Sequence, residues 1–380
     1  MVNGQPCAEW LRRLVQIPSV NPAYVGPRAG TPGEARIMAQ VAEWFAELGG
    51  EVLSEEVYPE RPSIYGIWRG RSAQWMAVDV HLDTVGVEQM IGDPFSGEIR
   101  DGRVYGRGAV DTKATLGVEL ALLEHMRRTG QKPAANLLVA ATTDEETGAS
   151  GGAHAFAKWV RAQGMDIVQL AVAEATHCGP VCGHKGQVRL EFVVEGVSTH
   201  SSQPHMGKNA ISAAARLIAA FDEEHQRLQA MSRKNRLGAP VLSVTTISGG
   251  RGTNVIPDQC IVNIDRRVVD GEALEEVRDH LIALAERSCP LPFTVEVRSF
   301  KGAFAQSQDS PWIRQLAAWS GKEPAVVPYC TNAHAYGGLA RETVIIGPGS
   351  IDQAHGNEEW VAIAELETMA HIFARWWGLE

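Results

Sequence analysis

The sequence predicts an α/β fold: a largely parallel sheet with helices between its strands, interrupted by an inserted α+β domain of four strands. Three observations predict it. Short apolar runs alternate with segments of helical period over residues 1–184 and again over 300–380. From about Lys185 to Ser299 the order becomes strand, helix, two strands, helix, strand. The runs of the first kind lead into a His, a carboxylate or a glycine turn, and open parallel sheets bind ligands beyond the carboxyl ends of their strands.

In chain order, residues 34–48 carry Ile37, Val41, Trp44, Phe45 and Leu48 on one helical face, and Gly49-Gly50 ends that helix. Trp75 to Val80 is a strand running straight into His81. Thr112 to Thr129 is a helix with Leu116, Leu120, Leu123 and Met126 inward and Gly130 at its end. Asn136 to Thr143 is a buried strand leading to Asp144-Glu145-Glu146. Ile167 to Ala173 leads to Glu174, and Thr343 to Ile346 leads to Gly347. In the insertion, 185–299, strands are expected at Gln187–Glu195, Leu242–Ile247, Cys260–Val268 and Phe293–Arg298. Helices are expected at Asn209–Met231 and Glu272–Arg287, on one face of those strands.

The bulk numbers fit this reading. A chain of 380 residues is long enough for two domains. With 44% hydrophobic and 21% charged residues it has the composition of a globular protein. A formal net charge of −10 does not attract nucleic acid or an anionic membrane. The N-terminus lacks a basic and apolar leader, and no apolar run reaches membrane-spanning length. Cys7, Cys178, Cys182, Cys260, Cys289 and Cys330 show no disulfide spacing, so a reducing cytoplasm is expected. Cys178 and Cys182 lack the second half of a zinc motif and read as structural thiols.

The strand ends carry metal-ligand chemistry. His81, Asp83, Asp111, Glu145, Glu146, Glu174 and His355 are imidazoles and carboxylates, a set suited to Zn²⁺ or a similar divalent ion. His81 and Asp83 are two apart and can point the same way. A metal-bound His gives its other ring N–H to a partner, and Asp83 is placed to be one. Asp111 precedes a helix, where an N-cap is the ordinary role. Its carboxylate could instead bridge two ions about 3.5–4 Å apart. Glu145 and Glu146 are adjacent and cannot do the same job in an extended segment, so one can bind metal while the other shuttles a proton. His355 follows a turn-forming run that begins at Gly347. His125, His225, His280 and His371 lie in expected helices and read as surface or packing residues, whereas His177, His184 and His334 stay open.

Taken together the motifs resemble the M20 family of dinuclear zinc aminoacylases and carboxypeptidases over nearly the whole chain. HLDTV (81–85), YGRGAVDTKA (105–114), DEETGASGG (144–152), VAEAT (172–176), THSSQPHMGKNA (199–210), GTNVIP (252–257), DRR (265–267) and GPGSIDQAH (347–355) stand in family order. The resemblance implies a zinc-peptidase catalytic domain (1–184 and 300–380) with a ferredoxin-like lid or dimerisation domain (185–299). It implies two Zn²⁺, or cobalt or manganese. His81 and Glu174 would hold one ion, Glu146 and His355 the other, and Asp111 would bridge them. Glu145 would be the general base and acid, and Asp83 would orient His81. His200 and Asn254 would bind or polarise the scissile carbonyl, often across a dimer, and Arg267 would hold the substrate carboxylate.

The implied reaction is amide hydrolysis of an N-acyl amino acid by a cytoplasmic homodimer, with N-acetylornithine-type deacetylation foremost. Dipeptidase, carboxypeptidase and succinyl-diaminopimelate desuccinylase activities are the alternatives on the same site. Ala175 stands where that deacetylase branch has Pro, and Asn332 where an acidic residue is common. A non-catalytic binder is the contrary class. Competent residues at His81, Asp111, Glu145, Glu146, Glu174 and His355 argue against it.

Overall fold

The computed structural model describes residues 2–231 and 235–380. The chain divides into two compact units. One comprises Met1–Cys182, Gln306–Val326 and Thr331–Glu380; the other comprises Gly183–Ala305 and Val327–Cys330.

In the first unit the sheet runs Glu51–Tyr58, Arg61–Trp68, Asn136–Thr142, Trp75–His81, Ile167–Val172, Ala340–Ile345. The last four of these strands pair in parallel. All seven residues of Asn136–Thr142 are buried, as expected for a parallel strand covered on both faces. Helices supply that cover. Phe45 of the helix Ala35–Glu47 packs edge-on against Trp68, while Phe156 of the helix Gly151–Ala162 packs against Tyr65. Trp68 and Tyr65 are of opposite parity on one strand, so the two helices lie on opposite faces. Gly4–Val15, Lys113–Thr129 and Ile363–Trp377 pack on one another, and Trp10 meets Trp44 at 5.3 Å.

A hairpin not expected from the sequence, Glu51–Tyr58 and Arg61–Trp68, joins Asn136–Thr142 antiparallel. Pro62 and the charged alternation before it mask the strand period; Glu51–Tyr58 is the outer strand, and Pro62 precedes the residues of its own strand that pair with Asn136–Thr142. The predicted helix over 34–48 spans Ala35–Glu47. Glu34 makes no side-chain cap bond; it is fully buried and spends its carboxylate elsewhere.

The second unit has the order strand–helix–strand–strand–helix–strand. Its antiparallel sheet runs Val241–Gly249, Gln259–Val268, Gly186–Glu195, Phe293–Lys301. That is the ferredoxin-like arrangement. Val188, Leu190, Phe192 and Val194 alternate onto one face, where they pack with Ala214, Leu217 and Phe221 of Ala210–Met231 and Leu281 and Ala285 of Leu274–Ser288. Among the described residues no helix is long and apolar enough to cross a membrane.

Candidate metal centre

In the first unit the strand ends converge. His81, Asp111 and Glu174 form one group of potential ligands, and Asp111, Glu146 and His355 another; within each, one ligand atom per residue lies within 4.8 Å of the others. Asp111 is common to both. Its Oδ1 is 3.1 Å from His81 Nε2 and its Oδ2 is 3.2 Å from His355 Nε2, which is also 3.1 Å from Glu146 Oε2. The side chains of His81, Asp111 and Glu146 are at most 7% exposed, whereas that of His355 is 51% exposed, so the cluster opens to solvent on the His355 side.

The backbone around each residue explains its aim. The helix Lys113–Thr129 takes Thr112, not Asp111, as its N-cap residue. Asp111 is instead held by its main chain: the N–H groups of Val110 and Asp111 donate to Glu359 Oε1 at 2.9 and 3.2 Å. Arg107 Nη1 donates to the other oxygen of Glu359 at 2.7 Å. Asp144 and His355 adopt φ of +66° and +60°, a region L residues seldom occupy and one that clusters at functional sites. Gly347 is required by contact: a Cβ there would lie 2.5 Å from the Glu174 carbonyl oxygen and 2.8 Å from Thr115 Oγ1.

Asp83 meets His81 chiefly through its main-chain oxygen. His81 Nδ1 donates to the main-chain oxygen of Asp83 at 3.1 Å, while the Asp83 carboxylate is 3.5 Å away. A carbonyl can only accept, so Nδ1 carries a proton, which leaves Nε2 as the atom that could offer a lone pair to a metal ion in the cluster. The Asp83 carboxylate receives the backbone N–H of Glu145 on Oδ1 and that of Glu146 on Oδ2, both at 3.0 Å.

The electrostatics call for positive charge. Burial and the neighbouring Asp111 carboxylate push Glu146 up to about 8, against the pull of His355 and His81. Burial, then the charges of Asp111 and Glu145, push Glu174 well above the usual carboxyl range. His355, bonded to Asp111 and Glu146, is raised to about 10. Burial opposes a charge on His81, but its bonds to Asp111 and Asp83 win and its pKa rises. Protons thus gather where carboxylates crowd, and divalent cations answer the same demand. Imidazole nitrogens and carboxylate oxygens fit zinc and its neighbours among the divalent metals.

The other expected site residues lie in the second unit. His200 and Asn254 are exposed neighbours: the two-residue strands Thr199–His200 and Val255–Ile256 pair, Ser201 N donates to Asn254 O at 2.9 Å, and His200 Nδ1 meets Ser202 Oγ at 2.7 Å. Arg267 is near the far end of Gln259–Val268, paired with Asp265 at 2.7 Å. Of the open histidines, His177 pairs with Glu365 at 2.7 Å, His184 is buried, and His334 meets Ser150 Oγ at 3.2 Å. Cys178 and Cys182 are buried thiols that donate to the main-chain oxygens of Glu365 and Ala325 at 3.4 and 3.2 Å. Asn332 donates to buried Asp79 at 3.1 Å.

The sequence reading missed Asn21, Glu34, Arg61, Arg107 and Glu359, which support the cluster without joining it. Their only signal is burial of charge or amide, and burial is invisible until the chain folds.

Comparison with known proteins agrees with this architecture. The chain belongs to peptidase family M20/M25/M40, which matches residues 77–378, and it is a metal-dependent amidohydrolase. Among curated relatives, the acetylornithine deacetylase of Vibrio vulnificus (strain CMCP6) is 30% identical over 353 residues, covering 90% of this chain and 91% of that protein. The acetylornithine deacetylase of Myxococcus xanthus is 31% identical over 322 residues, covering 82% and 80%. Among solved structures, the M20 family metallo-carboxypeptidase Sso-CP2 from Sulfolobus solfataricus aligns with a TM-score of 0.78 at 17% identity, covering 98% of this chain and 99% of that one. The Bacillus subtilis YXEP protein, described as a dinuclear metal binding peptidase from the M20 family, aligns with a TM-score of 0.70 at 15% identity, covering 99% and 98%. At these identities the structures speak to the fold.

Proposed function

We propose that this protein hydrolyses the amide bond of an N-acyl amino acid, with N-acetylornithine-type deacetylation as its reaction. The observation that carries the reading is the Asp111 carboxylate shared by two His-and-carboxylate groups at the strand ends. The deacetylase relatives favour the acyl amino acid over a peptide as substrate. His81 and Glu174 would hold one Zn²⁺, Glu146 and His355 a second, with Asp111 between them; cobalt or manganese suits the same donors. When bound, such ions supply Lewis acidity, making water acidic enough to attack near neutral pH.

Glu145 is the general base in this reading. Its backbone N–H is bonded to Asp83, and its side chain would take the proton of the attacking water and pass it to the leaving amine. His200 and Asn254 stabilise the charge that develops on the carbonyl oxygen. Arg267 holds the substrate carboxylate. Six cysteines without disulfide spacing suit a cytoplasmic enzyme.

Within one chain, Arg267 stands eight residues along its strand from Gln259, a run of about 26 Å, and His200 and Asn254 lie beyond the Gln259 end. One small substrate cannot touch both ends. A homodimer through the second unit, with His200 and Asn254 serving the partner's metal centre, removes the conflict.

Glu145→Gln should keep the metal content of the wild type and lose kcat by about 10²–10⁴-fold, the usual worth of a general base. Activity within a few-fold of wild type would remove Glu145 from the role. The substrate is settled by amine release from N-acetylornithine, other N-acetyl amino acids, N-succinyl-diaminopimelate and simple dipeptides. Preference for a dipeptide or for the succinyl compound would replace the deacetylase assignment.

A further inference from the structure

Beneath the Glu145–Glu146 turn lies a buried polar assembly that reaches the cluster through Asp83. Asp144, at φ +66°, begins the turn, and three donors converge on its Oδ1: Asn21 Nδ2 at 3.1 Å, Arg61 Nη2 at 3.0 Å and Thr147 Oγ1 at 3.1 Å. Asn21 is fully buried. Its amide nitrogen also donates to Asp83 Oδ2 at 2.8 Å, so Asn21 ties Asp144 to the carboxylate that receives the N–H groups of Glu145 and Glu146. Arg61 grips Glu34 with Nε and Nη2 at 2.8 and 2.7 Å. Glu34 in turn accepts from the Thr143 hydroxyl and, at 3.3 Å, from Asp144 N. The ring of Tyr58 covers the Arg61 guanidinium at 5.2 Å.

The charges make this more than packing. Glu34, Asp83 and Asp144 are three buried carboxylates, and Arg61 is the cation bonded to two of them. A buried charge left without its partner is strongly disfavoured. A left-handed Asp is likewise held only where its surroundings over-determine it. We propose that Arg61 and Asn21 are positioning residues for the amide hydrolysis. By fixing Asp144 in its left-handed turn they present two adjacent N–H groups to Asp83. That sets Glu145 and Glu146 in their separate directions, one toward substrate and one toward metal. This deepens the function proposed above and rests on its assignment of Glu145 and Glu146.

The test is Arg61→Ala, assayed fully loaded with zinc, with and without guanidinium ion at sub-denaturing concentration. Arg61 is 17% exposed, so the space it leaves can be reached from solvent. The expected result is a fall in kcat of about 10²-fold, the penalty of an ångström-scale misplacement, with KM within a few-fold. Zinc content should hold, and guanidinium, but not an equal concentration of sodium chloride, should restore at least tenfold of the lost rate. Asn21→Ala leaves the Arg61–Glu34 pair intact and should also lower kcat more than it raises KM, without rescue by guanidinium. If Arg61→Ala does not fold, Asn21→Ala and Arg61→Lys carry the test by the same split between kcat and KM. A kcat within threefold of wild type in these variants overturns the proposal, as does a loss that follows zinc release and ignores guanidinium. If instead Glu145→Gln is active while Arg61→Ala is rescued by guanidinium, the base assignment fails and the positioning role stands.

Discussion

Glu359 shows how much a residue outside the ligand set can carry. Its carboxylate, 1% exposed, receives Arg107 on one oxygen and the N–H groups of Val110 and Asp111 on the other. Arg107 is itself only 3% exposed. Glu359→Ala would strand that guanidinium and leave two buried N–H groups unpaired. Breaking a buried pair from one side costs about 3–5 kcal/mol. Denaturant unfolding of the metal-loaded variant should show a loss of that order, and a change below about 1 kcal/mol would count against the account, being no more than an exposed pair is worth. Asp83 does two things: its main-chain oxygen accepts from His81 Nδ1, and its carboxylate holds the Glu145–Glu146 backbone.

At the scale of elements, the site depends on how closely neighbouring strand ends approach. Ile167–Val172 and Ala340–Ile345 pair in parallel, and beyond them Gly347 passes directly against Glu174. Gly347→Ala would set a methyl group 2.5 Å from a backbone oxygen that cannot swing aside. Overpacking of this kind costs about 1–3 kcal/mol. Here it would displace Glu174, so zinc affinity should drop by about 10-fold or more, a change of roughly 1.4 kcal/mol or more. Competitive titration with a chelator measures this; wild-type affinity would mean that the turn yields without moving Glu174. The hairpin Glu51–Tyr58 and Arg61–Trp68 matters for the same reason: it brings Arg61 to Asp144, although its sequence gives a weak strand signal.

At the scale of the molecule, the proposed dimer can be tested by complementation. His200→Ala and Glu145→Gln chains should each be nearly inactive alone. Mixed and allowed to exchange, they would form heterodimers with one complete site if His200 acts on the partner's centre. Random pairing then restores about one quarter of wild-type activity. If His200 serves its own chain, no combination contains a complete site and the mixture stays inactive. Sedimentation of the same samples reports whether dimers form.

Much of this protein was legible in its sequence. Apolar runs ending in His81, Asp144-Glu145-Glu146 and Glu174 mark buried parallel strands, because period and burial are local properties of the chain. The strand–helix–strand–strand–helix–strand order identifies the insertion for the same reason. The approach of Asp111 to His81 and His355, the atom of Asp83 that orients His81, and the recruitment of Asn21, Glu34, Arg61 and Glu359 were decided by the tertiary structure alone. Most of them join groups far apart in the chain, up to 249 positions, in a largely buried space. There a lone carboxylate or amide is intolerable, and only the folded chain settles which partner answers it.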